Sequence, residues 1–291
     1  MFKDGLLTGK RILVTGGGTG LGKEIAERYL QLGAELWLAG RRAGVLEETA
    51  RALTARHGGS VRTHAVDIRD AQAVDAMVER IWAESGPLTG LVNNAAGNFI
   101  SPTKDLTVNG FNAIANIVFH GSFYVTHAVG KRWIAGGHKG SVISILVTWV
   151  WTGSPYVVPS AMSKAGLHVM TKSLAVEWGR YGIRLNAIAP GAFPTEGASK
   201  RLRPGGSFED ANEMNPMRRV GQMPELQNLA TFLMADGCEW LTGETIAVDG
   251  GGYLAHGASF SELDKLSDVD WARMRDMIKA QNEKDRAGRG A

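Results

Sequence analysis

The chain has 291 residues, of which 44% are hydrophobic, and a formal net charge of +3. Its single cysteine, Cys238, excludes an internal disulfide framework and a metal site built on cysteine ligands. No apolar run is long enough to span a membrane, the segment from Met1 to Lys10 is too short and polar for a signal peptide, and no Lys/Arg-rich run indicates nucleic-acid binding. We therefore expect a cytoplasmic protein that binds no metal, membrane or nucleic acid.

Short apolar runs alternate with amphipathic segments along the chain. Seven runs have the length and composition of buried strands: Ile12–Val14, Glu35–Ala39, Val61–Val66, Gly90–Asn93, Ser141–Leu146, Arg184–Ala189 and Thr245–Val248. The amphipathic segments between them are Leu21–Leu32, Val45–His57, Ala71–Glu84, Phe111–Ile134, Ser160–Tyr181 and Pro224–Met234. This alternation predicts an α/β fold, a doubly wound parallel seven-stranded sheet with helices on both faces.

A glycine-rich turn follows the first predicted strand and precedes the first predicted helix. It reads Thr15-Gly-Gly-Gly-Thr-Gly-Leu-Gly22. Glycines in such a turn permit positive φ and a close approach of the backbone to a ligand, and the N–H groups of the following helix face an anion. The turn therefore predicts a dinucleotide pyrophosphate site. Its candidate cofactor-binding residues are Gly16, Gly18, Thr19, Gly20, Leu21 and Gly22.

The ends of the later strands carry further candidates, because dinucleotides lie across the carboxyl edge of such sheets. After the second strand, Arg41 and Arg42 occupy the place where an NAD-binding protein usually has an acidic residue. Arginine there suits a 2′-phosphate, so the sequence predicts NADP(H), although a solvated pair of loop arginines is the alternative. The remaining candidates are Asp67, Ile68, Asn94, Ala95, Ala96, Gly97, Pro190, Gly191 and Thr195.

The domain organisation is simple. Residues 1–255 are predicted to form one dinucleotide-binding catalytic domain, in which a polar loop at about 190–215 is expected to contact substrate. Residues 256–291 form a predicted C-terminal helical extension with a helix at Asp268–Gln281. That helix could pack on the body or on a neighbouring subunit, or cover the substrate pocket.

The motifs together resemble the short-chain dehydrogenase/reductase family. The resemblance rests on the turn at Thr15–Gly22, Asn93-Asn-Ala-Ala-Gly97, Pro190-Gly191 and Asp249-Gly-Gly251, and it covers about residues 7 to 253. It implies a Rossmann-like fold, a nicotinamide cofactor and a homotetramer.

The chain departs from the usual catalytic set of that family, which is Asn, Ser, Tyr and Lys. Lys164 matches the lysine, but the tyrosine place holds Ser160, the serine place falls at Val147 and the asparagine place at Val118. Within the family the chain is most similar to the 2,4-dienoyl-CoA reductases, notably in Asn93–Pro102, Val157–Ala161 and Ala175–Gly179. Where the mitochondrial members of that branch have a tyrosine just after the fifth strand, this chain has Trp149.

The resemblance implies roles for the residues around Lys164. Lys164 is expected to hold the nicotinamide ribose and Ser160 to donate a hydrogen bond to a thioester oxygen, while Ser160, Tyr156 or His120 relays a proton from water. Ser160 could instead be the N-cap of its helix, Tyr156 could be a packing residue and His120 a core or interface residue. The other substrate candidates are Arg69, for a coenzyme A phosphate, and Phe99, Trp149 and Trp151, for the acyl chain.

The sequence therefore favours NADPH-dependent reduction of a 2,4-dienoyl-CoA without the usual tyrosine, with an acyl-CoA as the small-molecule partner. A serine hydroxyl is too weak an acid to replace a tyrosine simply, whereas reduction of a conjugated thioester first needs oxyanion stabilisation. Two alternatives stay open. One is a reductase or dehydrogenase of another carbonyl substrate with Tyr156 as an unusual acid, and the other is a non-catalytic NADP(H)-binding module.

Overall fold

A computed structural model describes residues 1–195, 212, 215–255, 263 and 265–289. Seven strands in this part of the chain form one sheet: β1 Arg11–Thr15, β2 Glu35–Gly40, β3 Val61–Ala65, β4 Gly90–Asn93, β5 Gly140–Ile145, β6 Ile183–Pro190 and β7 Thr245–Val248. Each lies where the sequence predicts it, to within two residues at either end.

The sheet is parallel throughout, with strand order β3-β2-β1-β4-β5-β6-β7. Leu13 of β1 pairs with Trp37 of β2 on one side and with Leu91 of β4 on the other. The order therefore reverses between β1 and β4, which opens a crevice at the carboxyl ends of these two strands.

Helices cover both faces because successive residues of the central strands point to opposite sides. Ile12 and Val14 lie in one apolar cluster, whereas Leu13 lies in another. All three side chains are fully buried. The result is the doubly wound Rossmann-like architecture that the sequence predicts.

The helices are α1 Gly20–Gln31, α2 Ala43–His57, α3 Ala71–Ser85, α4 Val108–Ala115, α5 Ser122–Gly136, α6 Trp149–Thr152, α7 Val158–Trp178, α8 Met223–Met234, α9 Gly252–Ala255 and α10 Asp268–Arg289. The first cluster contains Ile25 and Tyr29 of α1 with Leu226 and Leu233 of α8. The Tyr29 hydroxyl donates to the Ala230 carbonyl over 2.9 Å, so α1 and α8 are joined on one face.

One predicted helix, Phe111–Ile134, differs from the structure. It begins earlier, at Val108, because the Thr107 hydroxyl caps α4 by accepting the Gly110 N–H over 3.0 Å. A π-helical segment, Asn116–Gly121, then separates α4 from α5. Gly121 packs so closely on Ile68 that a Cβ there would lie 2.7 Å from its side chain. This is a tertiary contact that hydrophobic periodicity does not reveal.

The chain divides into two compact units, Met1–Tyr253 and Leu254–Ala291. In the second unit α10 is longer than predicted, and the Ser267 hydroxyl and the Asp270 carboxylate bond at 2.6 Å at its start. The middle of the predicted substrate loop, residues 196–211, lies outside the described residues. Within the described part of the chain, no helix has the length and apolarity needed to cross a membrane.

Candidate functional site

A cavity of about 560 Å³ opens at the carboxyl ends of the strands, at the crevice between β1 and β4. Sixteen of the eighteen predicted cofactor residues line it: Gly16, Gly18, Thr19, Leu21, Arg41, Arg42, Asp67, Ile68, Asn94, Ala95, Ala96, Gly97, Lys164, Pro190, Gly191 and Thr195. The other two, Gly20 and Gly22, belong to the same turn but do not line the cavity.

Two glycines of the glycine-rich turn, Gly16 and Gly22, are packed so closely that a side chain would clash with the end of β4. Gly16 has φ +66°, and a Cβ there would lie 2.9 Å from the Cα of Ala95. A Cβ on Gly22 would lie 2.3 Å from the side-chain nitrogen of Asn94. The Thr49 hydroxyl of α2 donates to the Gly18 carbonyl over 2.9 Å and holds the outer part of the turn.

The N-terminus of α1 is open to a ligand. Its N-cap residue Thr19 makes no side-chain capping hydrogen bond, and its first turn contains no acidic residue. In contrast, the Asp70 carboxylate at the start of α3 accepts the N–H groups of Gln72 and Ala73. Because Thr19 and Leu21 line the cavity, the uncapped N–H groups of α1 can bind a pyrophosphate.

Hydrogen bonds fix the end of β4 to the end of β1. The side-chain nitrogen of Asn94 donates to the carbonyls of Thr15 and Gly16 over 3.0 and 3.2 Å. The Thr15 hydroxyl accepts the N–H groups of Asn94 and Ala95, each at 3.1 Å. These bonds fix Asn94 and Ala95, from which the segment Ala95–Gly97 continues as one wall of the cavity.

The arginines near β2 and β3 differ in their partners. Arg69 binds the Asp67 carboxylate through Nε and Nη2 at 2.5 to 2.9 Å, and this hydrogen bonding holds the pKa of Asp67 below its usual range. Arg41 and Arg42 are exposed and line the cavity, and their side chains make no ion pair or hydrogen bond with the described residues, although the charge of Arg41 also helps to lower the pKa of Asp67. They are therefore available to a ligand phosphate, whereas the guanidinium of Arg69 is already engaged.

Lys164 and Ser160 stand one helical turn apart on α7 and face the same cavity. The Lys164 ammonium donates to the carbonyl of Ile145, the last residue of β5, and burial lowers the pKa of Lys164 to about 8. Ser160 is 3% exposed and is the third residue of α7, whose N-cap residue is Val157. The alternative that Ser160 is the N-cap is therefore wrong, and among the described residues its hydroxyl has no hydrogen-bond partner.

Four predicted substrate residues, and Tyr156, lie outside the cavity lining. Arg69 is turned to Asp67, and Phe99 packs against the core cluster around Ile114. His120 is exposed on the π-helical segment beside Phe119 and Tyr124. Trp151 stacks on Tyr253 with ring centroids 4.8 Å apart.

Tyr156 is 57% exposed and has φ +65°, a conformation that costs a non-glycine residue about 1 kcal/mol or more. Its carbonyl accepts the Ser101 N–H over 2.9 Å, and this hydrogen bond links the loop after β4 to the loop before α7. Of the predicted substrate residues, only Trp149 and Ser160 line the cavity with Lys164.

Some cavity residues are not predicted from the sequence. They are Gly40, Val45, Leu46, Val66, Asn98, Ile117, Ile145, Leu146, Val147 and Phe193. Three of them, Gly40, Val66 and Asn98, are direct sequence neighbours of predicted residues, and this adjacency is the signal that could have found those three. Ile117 gives no such signal, because it reaches the cavity from the π-helical segment.

Comparisons with known proteins agree with this architecture. The family described as enoyl-(acyl carrier protein) reductase matches residues 16–252. A Caenorhabditis elegans protein named probable 2,4-dienoyl-CoA reductase, (3E)-enoyl-CoA-producing, is 41% identical over 99% of this chain and 95% of its own length. A Bacillus subtilis protein named probable 2,4-dienoyl-CoA reductase, (2E)-enoyl-CoA-producing, is 38% identical over 84% of this chain and 97% of its own.

A solved structure gives the same result for the fold. The gluconate 5-dehydrogenase of Burkholderia cenocepacia, crystallised with NADP and tartrate, is 30% identical and covers 84% of this chain and 96% of its own, with a TM-score of 0.79. The family match over residues 16–252 contains the whole cavity lining described above. The chain belongs to the short-chain dehydrogenase/reductase family of oxidoreductases.

Proposed function

We propose that this protein reduces 2,4-dienoyl-CoA thioesters with NADPH. The observation that carries the proposal is the cavity wall formed by Lys164 and Ser160, because none of the described residues that line the cavity is a tyrosine. A ketone or alcohol reaction needs an acid at the reacting oxygen, whereas a conjugated thioester first needs its oxyanion stabilised. The name of the Caenorhabditis elegans relative supports the same substrate class.

The residues present fit a bound NADP(H). The Gly16–Gly22 turn and the uncapped start of α1 suit the pyrophosphate, and the wall at Ala95–Gly97 suits the nicotinamide-side ribose and ring. Bound there in its reduced form, the cofactor supplies a hydride. Lys164 would hold the nicotinamide ribose from the opposite side of the cavity.

The phosphorylated cofactor is preferred because two arginines follow β2. Arg41 and Arg42 can bind a 2′-phosphate bidentately, and α2 begins directly after them, at Ala43. The nearest cavity carboxylate, Asp67, is neutralised by Arg69 and so repels a phosphate less.

Ser160 and Lys164 would stabilise the substrate oxygen. Ser160 presents a hydroxyl donor, and Lys164 adds a positive charge in a buried setting where electrostatic interactions are strong. Tyr156 does not fit the role of acid in a carbonyl reductase, since it is exposed and outside the lining. The proton that completes the reaction would come from water.

We also propose that the protein is a homotetramer, as the family resemblance implies. Phe119, Phe123, Met162, Val169 and Val176 are 41 to 86% exposed on the π-helical segment, α5 and α7, which suits burial against a second copy of the chain. The cytoplasmic location stays an expectation from the sequence.

To test the proposal, the pure protein is mixed with NADPH and either 2,4-hexadienoyl-CoA or one of a panel of ketones and aldehydes, and NADPH consumption is measured. We expect NADPH consumption only with the dienoyl thioester, and a Tyr156→Phe variant that keeps the rate. Reduction of a ketone, together with a large loss of rate in Tyr156→Phe, would support the carbonyl-reductase alternative instead. Tight NADPH binding with no turnover of any substrate would support the non-catalytic alternative.

A further inference from the structure

We propose that the indole N–H of Trp149 is a second hydrogen-bond donor to the thioester oxygen, so that two neutral donors, Ser160 and Trp149, stabilise the enolate beside the charge of Lys164. This inference rests on the proposed function. It makes Trp149 a catalytic residue rather than a wall of the acyl slot.

The position of Trp149 follows from how β5 ends. Lys164 donates to the carbonyl of Ile145, the last residue of β5, and Trp149 opens α6 four residues later. Ile145, Trp149, Ser160 and Lys164 all line the one cavity. The loop after β5 thus brings the indole to the cavity that receives the Ser160 hydroxyl and the Lys164 ammonium.

None of the described residues accepts the indole N–H of Trp149, a residue that is partly exposed. Trp82 and Trp178 are also partly or largely buried and likewise have no acceptor among the described residues, but neither of them lines the cavity. Trp149 does line it, beside Ser160 and Lys164. Its indole donor is therefore available to a ligand bound in that cavity.

The thioester oxygen is the acceptor we assign to this N–H, because negative charge develops on it during the reaction. The δ carbon of the dienoyl group gains a hydride with its electron pair, the two conjugated double bonds shift toward the carbonyl, and the oxygen becomes negative. The dienoyl group is reduced and the nicotinamide is oxidised. A proton from water then bonds to the α or the γ carbon, and the oxygen returns to a carbonyl.

An indole can stabilise this oxyanion but cannot supply the proton, since its N–H is a donor only and does not ionise near neutral pH. The enolate therefore persists until water protonates it. A tyrosine at the same position would add an acid beside Lys164.

The test compares Trp149→Phe with Trp240→Phe, a matched removal of an indole from a fully exposed position. Removal of one oxyanion donor typically lowers kcat by roughly 10² to 10³. We expect Trp149→Phe to lose roughly 10²-fold in kcat, with little change in KM or in the Kd of NADPH, and Trp240→Phe to match the wild type.

A second readout does not depend on turnover. The carbonyl stretch of enoyl-CoA labelled with carbon-13 at the thioester, bound with NADP⁺, is expected at a lower frequency in the wild type than in Trp149→Phe. Trp149→Tyr restores a donor and is expected to restore the lower frequency, which keeps the test decisive if the phenylalanine variant folds poorly.

An unchanged carbonyl frequency with unchanged kcat in Trp149→Phe would overturn the inference. So would a loss confined to NADPH affinity, because it would make Trp149 a cofactor-packing residue. Absence of dienoyl-CoA turnover by the wild type would instead reject the proposed function.

Discussion

The two arginines after β2 give a quantitative test of cofactor choice. Arg41 and Arg42 line the cavity and have no ion-pair partner among the described residues, so a 2′-phosphate would be their principal anion. A hydrogen bond to a charged group is worth about 1.5 to 3 kcal/mol. Both side chains are exposed, so solvent screening favours the lower limit, about 1.5 kcal/mol for each arginine.

Removal of both arginines is therefore expected to cost about 3 kcal/mol, which is a roughly hundredfold rise in the Kd of NADPH, since 1.4 kcal/mol corresponds to tenfold. Either single alanine variant is expected to cost roughly tenfold. NADH lacks the phosphate, so its Kd is expected to stay within about twofold of the wild-type value.

Calorimetric titration with NADPH and NADH measures both quantities. Arg51→Ala is the matched control, because Arg51 is an exposed arginine of α2 outside the cavity lining. The NADPH effect is expected to shrink at high salt. An equal loss for NADH, or a loss below threefold for NADPH in the double variant, would refute the assignment of these arginines to a 2′-phosphate.

Three further predictions follow from buried groups. Gly22→Ala is expected to abolish NADPH binding in titration, because its Cβ would lie 2.3 Å from the Asn94 side chain; retained binding would contradict the close packing of the turn. Burial lowers the pKa of Lys164 to about 8, so kcat/KM for dienoyl-CoA is expected to fall as the pH rises through that region and Lys164 loses its charge; a flat pH–rate profile would contradict a role for the ammonium. Burial raises the pKa of Glu27, but hydrogen bonds from His57 and an arginine outweigh it and hold that pKa below its usual range. Ionised Glu27 therefore stabilises the fold at pH values above its unfolded pKa, and this stability is lost on acidification. In urea titrations, the free energy of unfolding of the wild type is expected to fall by about 1 kcal/mol more than that of Glu27→Gln as the pH is lowered. The same pH dependence of the unfolding free energy in both proteins would contradict this.

The sequence predicts most of the residues that line the cavity, because most of the lining is built from the ends of the strands. In a parallel sheet the carboxyl ends of neighbouring strands meet at one edge, so local signals such as the turn at Gly16–Gly22 or the pair Arg41 and Arg42 fall together once the strands are known. The pattern of short apolar runs correctly predicts all seven strands. The bonds between Asn94 and the glycine turn are then details of an arrangement that is already determined.

The residues expected to contact a substrate are harder to predict, because their positions depend on packing between elements that are far apart in sequence. Phe99 and Trp151 have suitable chemistry, but one packs on the core and the other on Tyr253. His120 is carried on a π-helical segment whose position depends on the contact of Gly121 with Ile68. None of these packing contacts leaves a periodic signal in the sequence.

The most direct test of the account follows the hydride itself. NADPH deuterated at the transferring position of the nicotinamide is mixed with 2,4-hexadienoyl-CoA, and the product is analysed by NMR. We predict one enoyl-CoA for each NADPH oxidised, with the deuterium on the δ carbon; when unlabelled NADPH is used in deuterated water, the solvent deuterium is predicted on the α or γ carbon. No deuterium transfer to the acyl chain, with NADPH bound but not oxidised, would contradict the account.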